Sequence, residues 1–158
     1  PAELIARLAT AAIDAGARIL LGVTVEDLIY RVVDDKPTVC GVVINWTAVH
    51  EAGLHVDPLA IPARAVVDAT GHEASVLRKA AEKLPNAGLQ LLGERGMWVT
   101  QGEQLVVDRT GMVLEGLYAT GMAVAALHGL PRMGPIFGGM LLSGERVAEL
   151  IAQDLGLT

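Results

Sequence analysis

Apolar and polar residues repeat along the chain with two periods, one typical of α-helices and one typical of β-strands. Near the start, apolar residues recur at the spacing of one helix face, namely at Leu4, Ile5, Leu8, Ala12 and Ile13. Gly16 follows as a left-handed stop for this helix. Residues 18–21 are a short apolar run, and we expect a strand there.

A period of two follows, which predicts strands with one buried face. The stretch VTVEDLIYRV offers Val23, Val25, Leu28 and Tyr30 as inward positions. A turn is expected at DDKP, residues 34–37, and the run TVCGVVINWTAV behind it predicts a second long strand. Together the two strands predict an antiparallel hairpin.

Strand, turn and helix then alternate, which is the pattern of parallel α/β sheets. Residues 65–68 predict a buried strand, and residues 73–84 predict a helix. The stretch GLYATGMAV, residues 116–124, predicts another strand ending in a glycine turn, and residues 138–155 predict a long closing helix. We therefore expect a single α/β domain over residues 1–158, with a parallel sheet, helices and an added antiparallel β-hairpin layer.

Composition narrows the function classes. Apolar residues make up 52% of the chain and aromatic residues only 3%, so Ala, Val, Leu and Ile must build the core. The formal net charge is −6 and the basic residues are scattered, which argues against nucleic acid as a partner. No apolar run is long enough to span a bilayer. Cys40 is the single cysteine, which excludes an internal disulfide and a CxxC metal site. We therefore expect a cytoplasmic protein without a membrane partner.

Two similar turns follow predicted strands, DATGH at residues 68–72 and LYATGM at residues 117–122. In open α/β sheets, ligands bind beyond the carboxyl ends of the strands, and glycine lets the backbone approach a ligand closely. A single turn of this kind would be explained by a tight strand-to-helix connection alone. Two copies favour a cradle for a nucleotide.

The stretch HGLPRMGPIFGGMLLSG places an arginine among glycines and prolines directly before a helix. Gly134, Gly138 and Gly139 leave the backbone amides near the helix start uncovered, which suits an anion. Arg132 adds a planar fork that matches a carboxylate or phosphate. The alternative is a surface arginine beside structural glycines, but the nearby prolines make the segment rigid and favour anion recognition.

Candidate metal ligands lie in two loops. His55 and Asp57 occur in AGLHVDPLAI, and His72 follows a predicted strand. Histidine and carboxylate are ordinary ligands for iron, manganese or zinc. Taken alone, these residues are also explained by a turn aspartate and structural histidines, and His50 and His128 are expected to be structural.

The stretches VVINWTAVHEAGLHVDPLAI, VVDATGH and GLYATGMAVAALHGLPRMGPIFGGMLLSGERVAELI closely resemble the thiamine thiazole synthase family, in particular its sulfide-dependent archaeal and prokaryotic branch. The resemblance covers essentially the whole chain, and PRMGPIFGGMLLSG is its most specific motif. It implies a glutathione-reductase-like dinucleotide-binding fold and an enzyme, a transferase, that makes ADP-thiazole from NAD, glycine and a sulfur source with iron(II). It also implies a homo-oligomer, an octamer in the family.

The resemblance assigns roles to residues whose motifs match. The iron ligands would be Asp57 in HVDP and His72 in TGH, from adjacent protomers, and Arg132 would hold the carboxylate of glycine. The site for the NAD-derived ligand would include Val25, His55, Val56, Asp57 and Met122.

The sequence departs from the family in two places. Enzymes that donate sulfur from their own cysteine carry it after GH, whereas GHEASVLRKAAEK contains none, so free sulfide is the expected source. Family members begin with a GxGxxG turn and an acidic ribose-binding residue, and neither occurs after Pro1, so the chain is expected to be an N-terminally incomplete, C-terminal portion of the enzyme.

Two other interpretations are compatible with the sequence. One is a different FAD- or NAD-dependent oxidoreductase of the same fold, with Arg132 holding a substrate acid. The other is a non-catalytic fragment that only folds and oligomerises. The pair of Asp57 and His72 favours the synthase, because a flavin oxidoreductase has no reason to keep both.

Overall fold

A computed structural model describes residues 2–157, which form two compact units. The smaller unit contains residues 2–24 and 45–57, and the larger unit contains residues 25–44 and 58–157. Pro1, the first residue of the single domain expected over residues 1–158, lies outside the described residues. Within the described part of the chain, no helix is both long enough and apolar enough to cross a membrane.

The smaller unit begins with helix α1 (Ala2–Asp14), as its apolar spacing predicts. Gly16 ends the helix with a φ of 93°, the left-handed conformation expected of it. The strand predicted at residues 18–21 is wrong, because this run has no regular secondary structure and its apolar side chains are exposed. Among the described residues no strand pairs with it, so its backbone lacks the ladder that a strand requires.

A three-stranded sheet follows, in the order β1 (Val23–Val33), β2 (Lys36–Trp46) and β3 (Leu59–Pro62). Asp34 and Asp35 join β1 to β2 with φ values of 49° and 60°, as a two-residue hairpin turn requires. The hairpin prediction is thus confirmed, and β3 adds to it antiparallel to β2. Leu28 is buried as expected, but Tyr30 is exposed.

The second strand is shorter than the sequence predicts. It ends at Trp46, and helix α2 (Thr47–Glu51) takes the place of its expected last residues. The side chain of Asn45 explains the change of direction. Its Oδ1 accepts a hydrogen bond from the Trp46 amide at 2.9 Å, and its Nδ2 donates to the Val56 carbonyl at 3.1 Å, so it competes with continued strand pairing.

The larger unit holds two further sheets. One has the order β4 (Val66–Asp68), β7 (Leu117–Ala119), β6 (Gly111–Leu114), with β4 and β7 parallel and β6 and β7 antiparallel. The other pairs β5 (Arg95–Met97) with β8 (Pro131–Arg132) in parallel. Parallel pairing of the two strands before the ATG turns is therefore confirmed, within a sheet that also contains an antiparallel pair.

Four helices lie in the larger unit, and they are α3 (Ser75–Lys83), α4 (Val99–Arg109), α5 (Met122–His128) and α6 (Gly138–Asp154). Short 3-10 turns cover Gly71–Glu73 and Pro85–Ala87. The helix expected from residue 73 thus begins two residues later. The strand expected over residues 116–124 stops at Ala119, since Gly121 turns the chain into α5.

Small and branched apolar side chains build the core of the larger unit, as the composition predicts. Its largest fully buried apolar side chains are Tyr118, Leu77, Leu117, Met133, Val39, Val106 and Val124. Leu117 and Tyr118 belong to β7 and Val124 to α5, and both elements are buried along almost their whole length. The carboxyl ends of β4 and β7 are held by this core, and the candidate site lies in the loops that follow.

Candidate functional site

The two ATG turns lie side by side, because β4 and β7 are parallel neighbours with Asp68 opposite Ala119. The Thr120 amide donates to the Asp68 carbonyl at 3.1 Å. The Asp68 carboxylate is fully buried and accepts hydrogen bonds from the amide and hydroxyl of Thr70 and from the Leu77 amide, at 2.7–2.9 Å. The first turn is thus locked to its own strand and to α3.

The second turn is locked by the closing helix. Ser143 of α6 is buried, and its Oγ accepts hydrogen bonds from the Thr120 hydroxyl at 3.0 Å and from the Gly121 amide at 3.1 Å. The same hydroxyl donates to the Met140 carbonyl at 2.9 Å. These contacts give both turns a fixed backbone, and a nucleotide beside them remains a prediction.

One carboxylate joins two of the residues singled out from the sequence. Glu94 Oε1 lies 2.6 Å from Nδ1 of His72, and Glu94 Oε2 accepts a hydrogen bond from Nε of Arg132 at 2.7 Å. The Glu94 side chain is only 11% exposed, whereas His72 and Arg132 are each about half exposed. The structure therefore brings His72 and Arg132 together through a nearly buried acid, and we call these three residues the Glu94 cluster.

Three separate segments position this cluster. His72 lies in the 3-10 turn before α3, and that turn packs against α5. Glu94 immediately precedes β5, and Arg132 ends β8, which pairs with β5. Helix α4 lies close beneath β8 because Gly102 has no side chain, and a Cβ there would come within 2.6 Å of the Pro131 carbonyl oxygen.

A cavity of about 310 Å³ opens beside the cluster, lined by His72, Met97, Arg132, Gly134 and Pro135. The recorded contacts of Arg132 within residues 2–157 use only Nε, so its two terminal nitrogens remain to donate to a ligand. On His72, likewise, the contact with Glu94 uses Nδ1 and leaves Nε2 as the second ring nitrogen. The cavity thus offers a cationic fork and an imidazole nitrogen at one place.

The expectation of uncovered amides at the start of α6 is wrong for Gly139. Its amide donates to Glu103 Oε1 of α4 at 2.8 Å, so the anion at this helix start is the protein's own carboxylate. The glycines here serve close packing as well, because a Cβ at Gly139 would come within 2.7 Å of Glu103 Cγ. Arg132 remains available for ligand recognition, but the Gly139 amide does not.

The other predicted site residues belong to other segments of the chain. In the smaller unit, His55 Nε2 and Asp57 Oδ1 are 3.7 Å apart, both almost fully exposed, with the partly exposed Val56 between them. In the larger unit, Val25 is half-buried in β1, and Met122 is buried at the first residue of α5. Among residues 2–157, no three His, Cys, Asp or Glu side chains are grouped to hold a metal ion.

Sequence reasoning missed Glu94, although it contacts both His72 and Arg132. Its local context, LLGERGMW, carries no motif, and an acid beside a glycine is typical of a solvated turn. The sequence offers only an indirect signal. Glu94 directly precedes the short strand β5, and the sequence does not show which strand pairs with β5. Its importance comes from the pairing of β5 with β8, which the sequence pattern does not predict.

Comparisons with known proteins find a family model and several relatives that match this chain. The model of the Thi4 family matches residues 1–137. The thiamine thiazole synthase of Pyrobaculum arsenaticum is 59% identical over 155 residues, which are 98% of this chain and 59% of that protein. The thiamine thiazole synthase of Archaeoglobus fulgidus is 58% identical over 156 residues, which are 99% of this chain and 59% of that protein.

A solved structure gives the same result at the level of the fold. The crystal structure of Thermovibrio ammonificans THI4 superimposes with a TM-score of 0.87 and is 46% identical, over 94% of this chain and 58% of that one. The chain therefore spans about three fifths of the length of the proteins that it matches. The residues matched by the family model include the segments that carry the Glu94 cluster.

Proposed function

The chain belongs to the Thi4 family, and from that premise we propose that it forms the metal- and glycine-binding part of a thiamine thiazole synthase. The reaction would make ADP-thiazole from NAD, glycine and free sulfide with iron(II). The bond from the ribose to nicotinamide would be cleaved, and the freed sugar would condense with glycine and sulfide. The observation that carries this proposal is the Glu94 cluster, with His72 and Arg132 beside one cavity.

The residues present suit iron(II). Imidazole and carboxylate are ordinary ligands for this ion, and a metal-binding histidine commonly gives its other ring N–H to a carboxylate. Glu94 is placed to accept that N–H from His72 Nδ1. When bound, the metal would supply proximity and charge stabilisation to the reacting groups. Asp57 would be the second protein ligand, contributed by an adjacent protomer of a homo-oligomer.

Arg132 would bind the carboxylate of glycine. Its Nε is held by Glu94, which leaves the edge formed by the two terminal nitrogens for a two-point contact. A cavity of about 310 Å³ has room for a small amino acid beside the imidazole of His72. The arginine would therefore orient the substrate while the histidine holds the metal, and neither role interferes with the other.

Sulfur would come from free sulfide. The segment that follows His72, residues 73–84, contains no cysteine. The single cysteine, Cys40, lies in the middle of β2, half-buried between neighbouring strands. A strand interior is a poor place for a sulfur donor that must reach a bound sugar, so repeated turnover with external sulfide is the consistent reading.

The finer features of the fold belong to the same proposal. The parallel pair β4 and β7, with its two ATG turns, would be part of a glutathione-reductase-like dinucleotide-binding fold. Val25, His55, Val56, Asp57 and Met122 would contribute to the site for the NAD-derived ligand. A cytoplasmic homo-oligomer is the proposed setting.

The test uses what we call the joined protein, in which this chain is fused to the part of the Archaeoglobus fulgidus relative that it does not match. It is incubated without oxygen with NAD, glycine, sulfide and iron(II), and each component is omitted in turn. Mass spectrometry should detect ADP-thiazole only in the complete mixture. Product formed without glycine or sulfide, or hydride transfer with no thiazole product from a folded protein, would contradict the proposal.

A further inference from the structure

We propose that Glu94 is a positioning residue that orients the metal-binding nitrogen of His72 and the substrate-binding fork of Arg132 at the same time. This inference rests on the proposed function, because it takes the roles of His72 and Arg132 from it. A single carboxylate makes both contacts, one with each oxygen, at 2.6 Å and 2.7 Å. Glu94 would thus couple a metal ligand to a substrate-binding residue through one rigid group.

The contact with His72 selects a tautomer. An ionised carboxylate can only accept hydrogen bonds, so neutral His72 must carry its proton on Nδ1 to bond with Glu94. The lone pair is then on Nε2, which is the form that a metal ion needs. Without Glu94, the ring would be free to place its proton on Nε2 and to turn away from the cavity.

The contact with Arg132 fixes the orientation of its guanidinium plane. Guanidinium is rigid and planar, so a hydrogen bond from Nε to Glu94 Oε2 limits the rotation of the terminal nitrogens. Those nitrogens belong to the side chain that lines the cavity. Glu94 therefore decides where the fork points, without touching the substrate itself.

The backbone holds Glu94 in place. The amides of its two neighbours, Gly93 and Arg95, donate to the carbonyls of Ala126 and Leu130, each at 2.9 Å. The side chain is 11% exposed, so water competes little for its oxygens. A carboxylate anchored on both sides and nearly dry is suited to fixing the orientation of other groups.

Glutamine and alanine at this position separate the two contacts. A glutamine side chain has one accepting oxygen and one donating nitrogen. Glu94→Gln can therefore still accept from His72 Nδ1, but it then presents N–H groups to Arg132 Nε, which is also a donor. Glu94→Ala loses both contacts. A purely structural role would make the two variants differ only in stability.

The first measurement does not depend on metal or on activity. The joined protein is labelled with ¹⁵N in histidine and arginine side chains and studied by solid-state NMR without metal, at about pH 9, where imidazoles are neutral. Subtracting the spectrum of His72→Ala identifies the His72 signals. We expect His72 protonated on Nδ1 in the unsubstituted protein and in Glu94→Gln, and a mixture with Nε2 protonation in Glu94→Ala. The Arg132 Nε signal should shift in both variants.

The second measurement separates the two ligands. Glu94→Ala should weaken iron(II) binding by about 10- to 100-fold, the usual effect of losing a carboxylate behind a metal-bound histidine, and it should also raise the KM for glycine. Glu94→Gln should raise the KM for glycine with iron affinity close to that of the unsubstituted protein. Glu73→Gln is the matched control, since it removes an acid next to His72 that makes no recorded side-chain contact among the described residues.

The proposal would be overturned by His72 protonated on Nε2 in the unsubstituted protein, or by tautomer and Arg132 signals that stay unchanged in folded Glu94→Ala. It would also be overturned if Glu73→Gln reproduced the shifts, because charge alone would then explain them. Failure of the proposed function looks different: the NMR pattern would be as expected while no ADP-thiazole is formed.

Discussion

At the scale of single residues, the site depends on what each side chain has left to offer once its neighbours are satisfied. Arg132 gives Nε to Glu94 and keeps its terminal nitrogens, while His72 gives Nδ1 and keeps Nε2. Both remaining groups suit ligands of the kind that the proposed reaction uses, a small carboxylate for Arg132 and a metal ion for His72. Substitutions at these residues should therefore affect different ligands.

Arg132→Lys should impair the use of glycine. A bidentate arginine–carboxylate contact is a charged hydrogen bond worth about 1.5–3 kcal/mol, which corresponds to a loss of about 10- to 150-fold. Lysine should rescue little, because an ammonium is a point charge without a fork. Separate titrations of glycine and NAD against the joined protein give the measurement. A loss confined to NAD would mean that Arg132 binds a phosphate.

His72→Ala and Asp57→Ala should each remove most of the bound iron and stop sulfur incorporation, because these are the two proposed protein ligands. Metal analysis of the purified joined protein checks this. If the two ligands come from adjacent protomers, an equal mixture of the two variants should recover some activity. Half of the protomers keep His72 and half keep Asp57, so about a quarter of the sites in randomly assembled oligomers would contain both ligands. Unchanged iron content in both single variants would refute the assignment.

At the scale of elements, helix α6 is held at its start, its middle and its end. Its first turn is held by Glu103, its middle by Ser143 at the second ATG turn, and its last turn by Tyr118, whose hydroxyl donates to Asp154 at 2.7 Å. The helix therefore contacts both α4 and β7 through side-chain hydrogen bonds. Its glycines and its tyrosine contact give two tests of this packing.

Gly139→Ala should destabilise the protein, whereas Gly144→Ala in the same helix should not. The new methyl at position 139 would overlap Glu103, and overpacking of this kind costs about 1–3 kcal/mol. At position 144 nothing lies within 4 Å, so alanine should stabilise by about 0.5–1 kcal/mol through helix propensity. Urea unfolding of both variants makes the comparison. Equal stability would mean that α4 and α6 are not in close contact.

Tyr118 should titrate well above an ordinary tyrosine. Burial, and next the hydrogen bond to Asp154, raise its pKa to about 12 from a normal value of 10.0. The chain has two tyrosines, so Tyr30→Phe leaves Tyr118 alone in a titration followed at the tyrosinate absorbance band. We expect a midpoint near 12, and a midpoint near 10 would contradict the buried contact.

The same shift makes a prediction about stability. Because the folded pKa of Tyr118 is raised, the contribution of the neutral hydroxyl is fully present below pH 10 and is lost as the pH rises through about 12. The loss should amount to about 2 to 3 kcal/mol. The free energy of unfolding is measured between about pH 10 and 12 for the unsubstituted protein and for Tyr118→Phe. The difference between the two proteins gives the contribution of Tyr118, since the other groups titrate equally in both.

At the scale of the whole chain, the sequence predicts local elements well and long-range pairings poorly. The Asp34–Asp35 turn and the parallel neighbours β4 and β7 follow from local patterns, and the structure confirms them. The apolar run at residues 18–21 has strand character but no pairing partner among the described residues, so propensity alone was misleading. The two-residue strand β8 is too short for any periodicity to indicate.

The candidate site shows the same division. His72 and Arg132 could be named from motifs, because each stands in a distinctive local sequence. Glu94 and Glu103 could not, since their roles depend on which strand and which helix lie beside them in space. Both acids satisfy groups that local reasoning leaves open for ligands, and only the folded arrangement shows which of those groups the protein fills itself.

The central claim is that this chain serves a synthase that takes sulfur from solution and not from its own cysteine. The most direct test supplies ³⁴S-labelled sulfide to the joined protein and to its Cys40→Ser variant, with product and intact protein weighed by mass spectrometry. We predict fully labelled ADP-thiazole in excess over protein, equal yields from both proteins, and a chain of unchanged mass. Unlabelled product accompanied by a chain lighter by the elements of hydrogen sulfide, with no product from Cys40→Ser, would contradict the account.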